Sequence, residues 1–237
     1  MTARRPAVAM LARAPGAGGK TRLTASLDGL TASALRTAIL LDTLEAALSL
    51  AWPVHVFVTP AGEVEAVDAL AAADPALAPA RPRLHVRPQA DGDLGARMTA
   101  AIAGTLGAGH DVAVLVGSDI PDLPARAVAA AAAAAAQGGG RVLAAGPAED
   151  GGFYLLAAAD ASAAAAAFAG MTWSHDGVLA GITERAHASG YAVALVDRWH
   201  DLDAPADLAR LVAAGGPGAR RTRAVARAIP RYNSPRD

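Results

Sequence analysis

The chain lacks cysteine altogether and has a single lysine among its 237 residues. The first absence excludes a disulfide framework, thiolate-bound metal and thiol chemistry. Aromatic residues make up 4% and charged residues 18%, against 53% hydrophobic. A chain of this length and composition buries one good core and fits one large α/β domain better than two small ones. Long hydrophobic runs are also missing. The longest, 127–136, is mostly alanine and is about half of the ~20 residues a membrane span needs. The apolar stretch after Arg4 and Arg5 is too short for a secretory signal and reads as a strand, so a cytoplasmic protein with no membrane partner is expected.

The net charge of −1 hides an asymmetry. Residues 215–237 hold six arginines and one aspartate, a balance of +5, which leaves −6 on the rest. An acidic body is a poor nucleic-acid binder, because such binding depends on clustered cations that release counterions. The Gly-, Pro- and Arg-rich end, 215–237, reads as a flexible tail, with a polyanion-binding arm as the alternative. Residues 1–214 then form a single domain.

Short aliphatic or β-branched runs at 7–12, 54–59, 84–87, 112–117, 141–145, 153–157 and 192–196 alternate with helical stretches at 31–50, 63–73, 94–106, 124–137, 177–189 and 205–213. Several runs are apolar on consecutive residues, as strands covered on both faces are. The alternation predicts an α/β fold: a Rossmann-like, mostly parallel sheet with helices on both faces. Ligands of such sheets sit beyond the carboxyl ends of the strands. The polar and glycine-rich residues fall there, at 14–22, 88–95, 117–123 and 147–152. The alanine run 129–136 is simply helix, alanine being the best helix former.

The loop after the first strand carries Gly16, Gly18, Gly19, Lys20, Thr21 and Arg22. Glycines let backbone N–H groups turn inward around an anion, and the cations neutralise phosphate oxygens. Every other basic residue in the chain is arginine, so the one lysine points to contact between a compact ammonium and phosphate. An ordinary solvated turn is the alternative. A P-loop is matched by Gly19-Lys20-Thr21 but has Ala14 where its first glycine belongs, and the G-x-G-x-x-G dinucleotide fingerprint is absent. Asp119 ends an apolar strand, where a carboxylate can hold Mg²⁺ or Mn²⁺ over phosphates. Asp122 reads as the cap of the following helix.

Six motifs follow one another between about residues 7 and 211. They are Met10-Leu-Ala-Arg-Ala-Pro-Gly16 with Lys20-Thr-Arg-Leu23; Gln89 with Gly92-Asp-Leu-Gly-Ala-Arg-Met98; Gly117-Ser-Asp-Ile-Pro-Asp-Leu-Pro124; Gly146-Pro-Ala-Glu-Asp-Gly-Gly-Phe-Tyr-Leu155; Trp173-Ser174; and Asp201-Leu-Asp-Ala-Pro-Ala-Asp-Leu208. In this order they resemble the nucleotide-diphospho-sugar transferase superfamily, with its GT-A-like fold. More closely, they resemble a small bacterial family labelled glycosyltransferase-like or selenodomain-associated transferase, related to the molybdenum-cofactor and phospholactate guanylyltransferases. Two positions depart from that pattern. Gly19 stands where a larger residue precedes the lysine, and His175 where a small hydroxyl residue follows Trp173-Ser174.

The resemblance implies roles. Lys20 and Arg22 would act on the phosphates, with Leu11, Ala12, Arg13, Gly16, Gly18, Gly19 and Ser118 around the nucleotide. Gln89, Gly92, Leu94, Gly95 and Arg97 would meet base and ribose, Arg97 being equally a structural ion-pair residue. Asp203 would be the second metal ligand beside Asp119, or else a helix N-cap, while Asp201 and Asp207 read as solvated partners. Asp150 would orient or deprotonate the acceptor, or else belong to an Asp-Gly hairpin turn. Gly151, Gly152, Trp173, Ser174 and His175 would form the acceptor side. His55, His85, His110, His187 and His200 lack metal spacing and read as structural. The expected activity is transfer of a nucleoside monophosphate from a nucleoside triphosphate to a small phosphorylated acceptor, by a monomer or homodimer. A glycosyltransferase using a nucleotide-sugar, and a non-catalytic nucleotide-binding module, are the alternatives.

Overall fold

The structure, a computed structural model, describes residues 5–232. Its strands are β1 (Pro6–Arg13), β2 (Val54–Thr59), β3 (Leu84–Pro88), β4 (Val112–Gly117), β5 (Val142–Pro147), β6 (Phe153–Ala158) and β7 (Ala192–Leu195). They form one sheet in the order β3-β2-β1-β4-β6-β5-β7, all parallel except β6, which runs antiparallel to β4 and β5. The mostly parallel α/β fold expected from the alternation is therefore present. The central strands read as continuous apolar runs because helices cover both faces. In β1, Val8, Met10 and Ala12 point into one core layer while Ala9 points into the other.

Among the described residues the α-helices are α1 (Thr21–Thr24), α2 (Gly29–Leu48), α3 (Val64–Ala73), α4 (Leu94–Gly107), α5 (Ala125–Gln137), α6 (Ala161–Phe168), α7 (Val178–Ala188), α8 (Pro205–Ala214) and α9 (Arg220–Ala228). Helices α2, α3 and α5 supply one layer, and α4, α6 and α7 the other. In α5 the buried positions Ala127, Val128, Ala131, Ala132 and Ala135 form a stripe of mostly small residues, which lets the helix lie close on the sheet. Helix α2 starts where the Asp28 carboxylate accepts from the N–H groups of Leu30 and Thr31, a cap worth about 1 kcal/mol. No helix among the described residues is long and apolar enough to cross a membrane.

Two helix starts differ from expectation. Asp122 does not cap α5; its carboxylate accepts from the Trp199 indole at 3.3 Å. Asp203 does not cap α8 either. That work falls to Asp207, which accepts from the N–H groups of Asp203 and Ala204 and so is not merely solvated.

The flexible tail expected over 215–237 is corrected over its described part; residues 233–237 lie outside the described residues. Helix α9 docks on α2. The Arg221 guanidinium donates to Asp42, Glu45 and Asp74, and the Thr222 N–H donates to Asp42. Arg223, 6% exposed, donates to the Leu211 and Gly218 carbonyls. A count of arginines suggests repulsion and mobility, but these cations face carboxylates and carbonyls held by α2, α3 and α8. Asp42 is 2% exposed, and a buried carboxylate of that kind requires such a partner.

Candidate active site

The chain leaves β1, extends β2 and β3 to one side, and returns to place β4 on the other side of β1. The order of strands therefore switches between β1 and β4, the point at which open α/β sheets leave a crevice beyond their carboxyl ends. The loop from Ala14 to Lys20 and the residues Gly117, Ser118 and Asp119 meet at this edge.

The loop is shaped by left-handed backbone. Gly18 and Gly19 have φ of 75° and 99°, and Lys20 itself has φ of 54°, a conformation that disfavours non-glycine residues. A Cβ at Gly19 would lie 2.9 Å from the Arg13 side chain, so glycine there keeps Arg13 and the loop in contact. The turn brings Lys20 across the edge to β4. Its ammonium donates to Asp119 Oδ2 at 2.6 Å and to Asp203 Oδ1, and Arg22 reaches Asp203 Oδ2 at 3.2 Å. Burial works against the Lys20 ammonium, but the two carboxylates outweigh it and hold its pKa above the ordinary lysine value.

Three carboxylates converge. One oxygen from each of Asp119, Asp201 and Asp203 lies within 4.8 Å of the others. The Leu202 N–H donates to the Asp119 carbonyl at 3.0 Å, which pins the segment 201–203 against the end of β4. That segment is braced further back, where the Trp199 N–H donates to the Pro147 carbonyl and the Tyr154 hydroxyl to the Asp197 carbonyl. Burial, and then the neighbouring Asp119 and Asp203 carboxylates, push Asp201 up to about 6. A Cβ at Gly117 would collide with Asp119 Oδ1, so glycine at the end of β4 is what allows Asp119 to point into the cluster.

Two cavities open on either side of Leu11, Gly117 and Asp119, residues that line both. The smaller, about 240 Å³, is bounded by Gly18, Gly19 and Ser118 and carries the cations Arg13, Lys20 and Arg36. The larger, about 340 Å³, is bounded by α4, the start of β6 and the turn before α7, with Asp119, Asp150 and Asp201 at its rim.

The expected site residues divide accordingly. Leu11, Arg13, Gly18, Gly19, Lys20, Ser118 and Asp119 come together around the smaller cavity. Leu94, Asp150, Gly152, Trp173, Ser174 and His175 line the larger one. Asp150 lies both in the β5–β6 hairpin turn and on the cavity, with its Oδ1 accepting from the Gly152 N–H at 3.0 Å. Gly151 lines neither of these two cavities; its left-handed backbone packs so closely on Asp176 that a Cβ would strike the Asp176 carbonyl. Gly16 lies in the short turn Pro15–Ala17, outside both cavities.

The group expected around base and ribose is used differently. The Gln89 amide donates to the Ala12 and Phe57 carbonyls and ties β1 to β2. Ala12 is 1% exposed. Arg97 donates to the Gly92 carbonyl and holds its own loop, not an ion pair. At Gly95 a Cβ would stand 3.1 Å from the Trp173 ring, so this glycine lets α4 pack under Trp173. Of these residues only Leu94 faces a cavity.

Sequence reasoning missed Asp201 and Arg36. Asp201 and Asp203 stand two apart on either side of the buried Leu202, and both bring a carboxylate to the cluster; that spacing was the available signal. Arg36 lies in the middle of α2, donates to the Pro15 carbonyl at 2.9 Å, and carries no motif.

A family model described as an uncharacterized protein conserved in bacteria, DUF2064, matches residues 41–175, more than half of the chain. The chain belongs to the DUF2064 family. Its structure is similar to that of a putative nucleotide-diphospho-sugar transferase from Desulfovibrio desulfuricans G20, at 26% identity over 97% of each chain with a TM-score of 0.80. Two further structures share the fold with a TM-score of 0.52. Rv0371c from Mycobacterium tuberculosis H37Rv is 17% identical over 89% of this chain and 98% of its own. A 4-diphosphocytidyl-2C-methyl-D-erythritol synthase is 14% identical over 87% and 96%. No curated protein matches the chain. This DUF2064 protein therefore has the nucleotide-diphospho-sugar transferase fold.

Proposed function

We propose that this DUF2064 protein is a transferase that moves a nucleoside monophosphate from a nucleoside triphosphate to a small acceptor, releasing pyrophosphate, with Mg²⁺ or Mn²⁺ as cofactor. The observation that carries this reading is the pair of adjoining environments at the β1–β4 switch point. Three cations line the smaller cavity, and three carboxylates converge at its border.

The donor set fits a hard divalent cation, since all three groups offer carboxylate oxygen and stand close enough to share one ion. Asp119, Asp201 and Asp203 would hold it. Bound there, the cation would supply positive charge against phosphate oxygens. Lys20, Arg13 and Arg36 bind the phosphates and offset the charge that grows on departing pyrophosphate, while the Gly18–Gly19 turn lets backbone approach closely. The acceptor oxygen attacks the α-phosphorus, the bond to the β-phosphate oxygen breaks, and the acceptor proton passes to the Asp150 carboxylate. Fixed charges aimed at developing charge are the largest contribution to such a reaction.

A glycosyltransferase acting on a nucleotide-sugar is the second reading, supported by the description of the D. desulfuricans protein. A thermal-shift panel of each common NTP and each common NDP-sugar with Mg²⁺ separates the two. Stabilisation by a triphosphate and not by NDP-sugars supports nucleotidyl transfer; stabilisation by an NDP-sugar alone would refute it.

A further inference from the structure

Resting on the transfer reading, we infer that the larger cavity takes an uncharged or cationic acceptor with an apolar body, not a phosphate ester or a carboxylate. Charge is divided unevenly between the two cavities. Every lysine and arginine side chain at the edge lies on the smaller-cavity side of the shared wall or outside both cavities, and no lysine or arginine lines the larger one among the described residues. Three carboxylates line it instead, Asp119, Asp150 and Asp201; a cation held by Asp119 and Asp201 would offset those two and leave Asp150 as the acidic group that meets the acceptor.

His175 does not change this balance. Its Nε2 sits 3.1 Å from both the Thr172 carbonyl and the Thr172 hydroxyl, and its Nδ1 accepts from the Gly177 N–H at 3.0 Å. Both ring nitrogens are engaged inside their own turn, so the imidazole offers an anion no donor. The floor is apolar. Leu94 and Met98 of α4, Phe153 at the start of β6, Val178 of α7 and Trp173 line it. Trp173 is seated edge-on to Phe168, with ring centroids 5.8 Å apart, and Phe168 in turn stacks on Phe153 at 6.1 Å. At about 340 Å³ the space is at the lower end of ligand pockets, roughly 300–1,000 Å³, so it suits a one- or two-ring body or a short branched chain.

Phosphate recognition requires donors: guanidinium, ammonium, or N–H groups at a helix start. The guanidinium and ammonium donors lie on the other side of Gly117. Helices α4 and α7 do start at the larger cavity, but there the Ala96, Gly177 and Leu179 N–H groups already donate to Asp93, His175 and the Gly151 carbonyl, and a phosphate would face Asp150. The reacting hydroxyl would donate to Asp150, which the Gly152 N–H orients. The expectation of a phosphorylated acceptor gives way to this arrangement. The sequence could not show that the cations of the first loop and the aromatic residues near 153 and 173 fall on opposite sides of one strand end.

The test uses the full chain and three probes with one apolar body: 2-(1-naphthyl)ethanol, the corresponding amine, and the corresponding phosphate monoester. Isothermal titration calorimetry at neutral pH reads their affinities. The alcohol and the amine are expected to bind at least about tenfold more tightly than the phosphate ester, because a dianion meets the Asp150 carboxylate with no lysine or arginine in the cavity wall to offset it. Asp150→Asn should narrow the margin of amine over ester, and Trp173→Leu should weaken all three. A phosphate ester that binds as well as the alcohol overturns the proposal, as does failure of all three probes to bind. So does a margin of amine over ester that Asp150→Asn leaves unchanged. An NTP–Mg²⁺ titration of the same sample keeps the two claims apart. Nucleotide binding with preference for the ester sinks the acceptor class alone, whereas the expected probe order without nucleotide binding sinks the transfer reading alone.

Discussion

Replacing Lys20 by methionine should tighten divalent-cation binding and weaken triphosphate binding, two effects of opposite sign from one substitution. The Lys20 ammonium bonds to Asp119 and Asp203, two of the three groups that would hold the cation. A divalent ion entering this cluster must compete with the ammonium for their oxygens. Two unit charges 4 Å apart attract by about 4 kcal/mol at the effective dielectric near a protein surface and by about 1 kcal/mol in water. The side chains of Lys20, Asp119 and Asp203 are 19%, 30% and 36% exposed, so the lower part of that range applies after discounting for solvent and salt. Removing the competitor is then worth about 1–3 kcal/mol, or roughly a fivefold to hundredfold gain in affinity at 1.4 kcal/mol per decade. Methionine has similar length and no charge, so the fold should persist. Mn²⁺ titration followed by electron paramagnetic resonance, without nucleotide, reads the effect. Mn²⁺ affinity that is unchanged or lower in Lys20→Met would refute the competition argument. Triphosphate affinity measured in the same variant should fall; an unchanged value would remove Lys20 from the phosphate site.

Other outcomes follow from the same geometry. Gly117→Ala places a Cβ on Asp119 Oδ1 and should cost about 10–100-fold in Mn²⁺ affinity, the range seen when groups supporting a ligand are disturbed, with little change in melting temperature. Asp119→Asn should remove Mg²⁺-dependent turnover, and retained turnover would deny it a ligand's role. Arg221→Ala strands Asp42 in the interior and should cost about 3 kcal/mol, a drop of roughly 6–12 °C in Tm for a chain of this size; calorimetric scans of the two proteins measure it. At the opposite end of the sheet, His55 is 2% exposed, stacked on His85, with its Nε2 3.0 Å from that of His110. Burial first, then His85, His110 and Arg87, push its pKa down from 6.5 to about 4. The unfolded chain therefore binds the extra proton first, so the stability of this cluster is complete above pH 6.5 and is lost as pH falls toward 4. The loss is up to about 3 kcal/mol at roughly 1.4 kcal/mol per tenfold change in proton affinity. Tm measured from pH 7.5 to 4.5 should fall more steeply in the native protein than in His55→Leu, and equal slopes would rule His55 out as the cause.

The sequence by itself determined the seven strands, the helices α2, α3, α4, α5, α7 and α8, and the placement of glycine-rich and acidic residues just after strands; α1, α6 and α9 were not among its expectations. These are local properties: consecutive apolar residues specify a strand covered on both faces, and glycine at 18 and 19 specifies a left-handed turn. The tertiary structure alone decided which of the motif residues meet. Asp119 and Asp203 are far apart in the chain, and Lys20 joins them only because β4 lies beside β1 and the segment 201–203 hydrogen-bonds to its end. Asp201 joins the cluster for the same reason. Gln89 and Arg97 carried a motif, yet their hydrogen-bonding capacity goes to carbonyls of the neighbouring backbone. The arginines of 215–237 looked like solvated charge because a sequence shows how many cations there are and not what faces them. Once α2 and α3 present Asp42, Glu45 and Asp74 together, Arg221 becomes the contact that holds α9 in place. Charge partners and cavity walls come from residues distant in sequence, and only packing brings them within the few ångströms over which hydrogen bonds and ion pairs act.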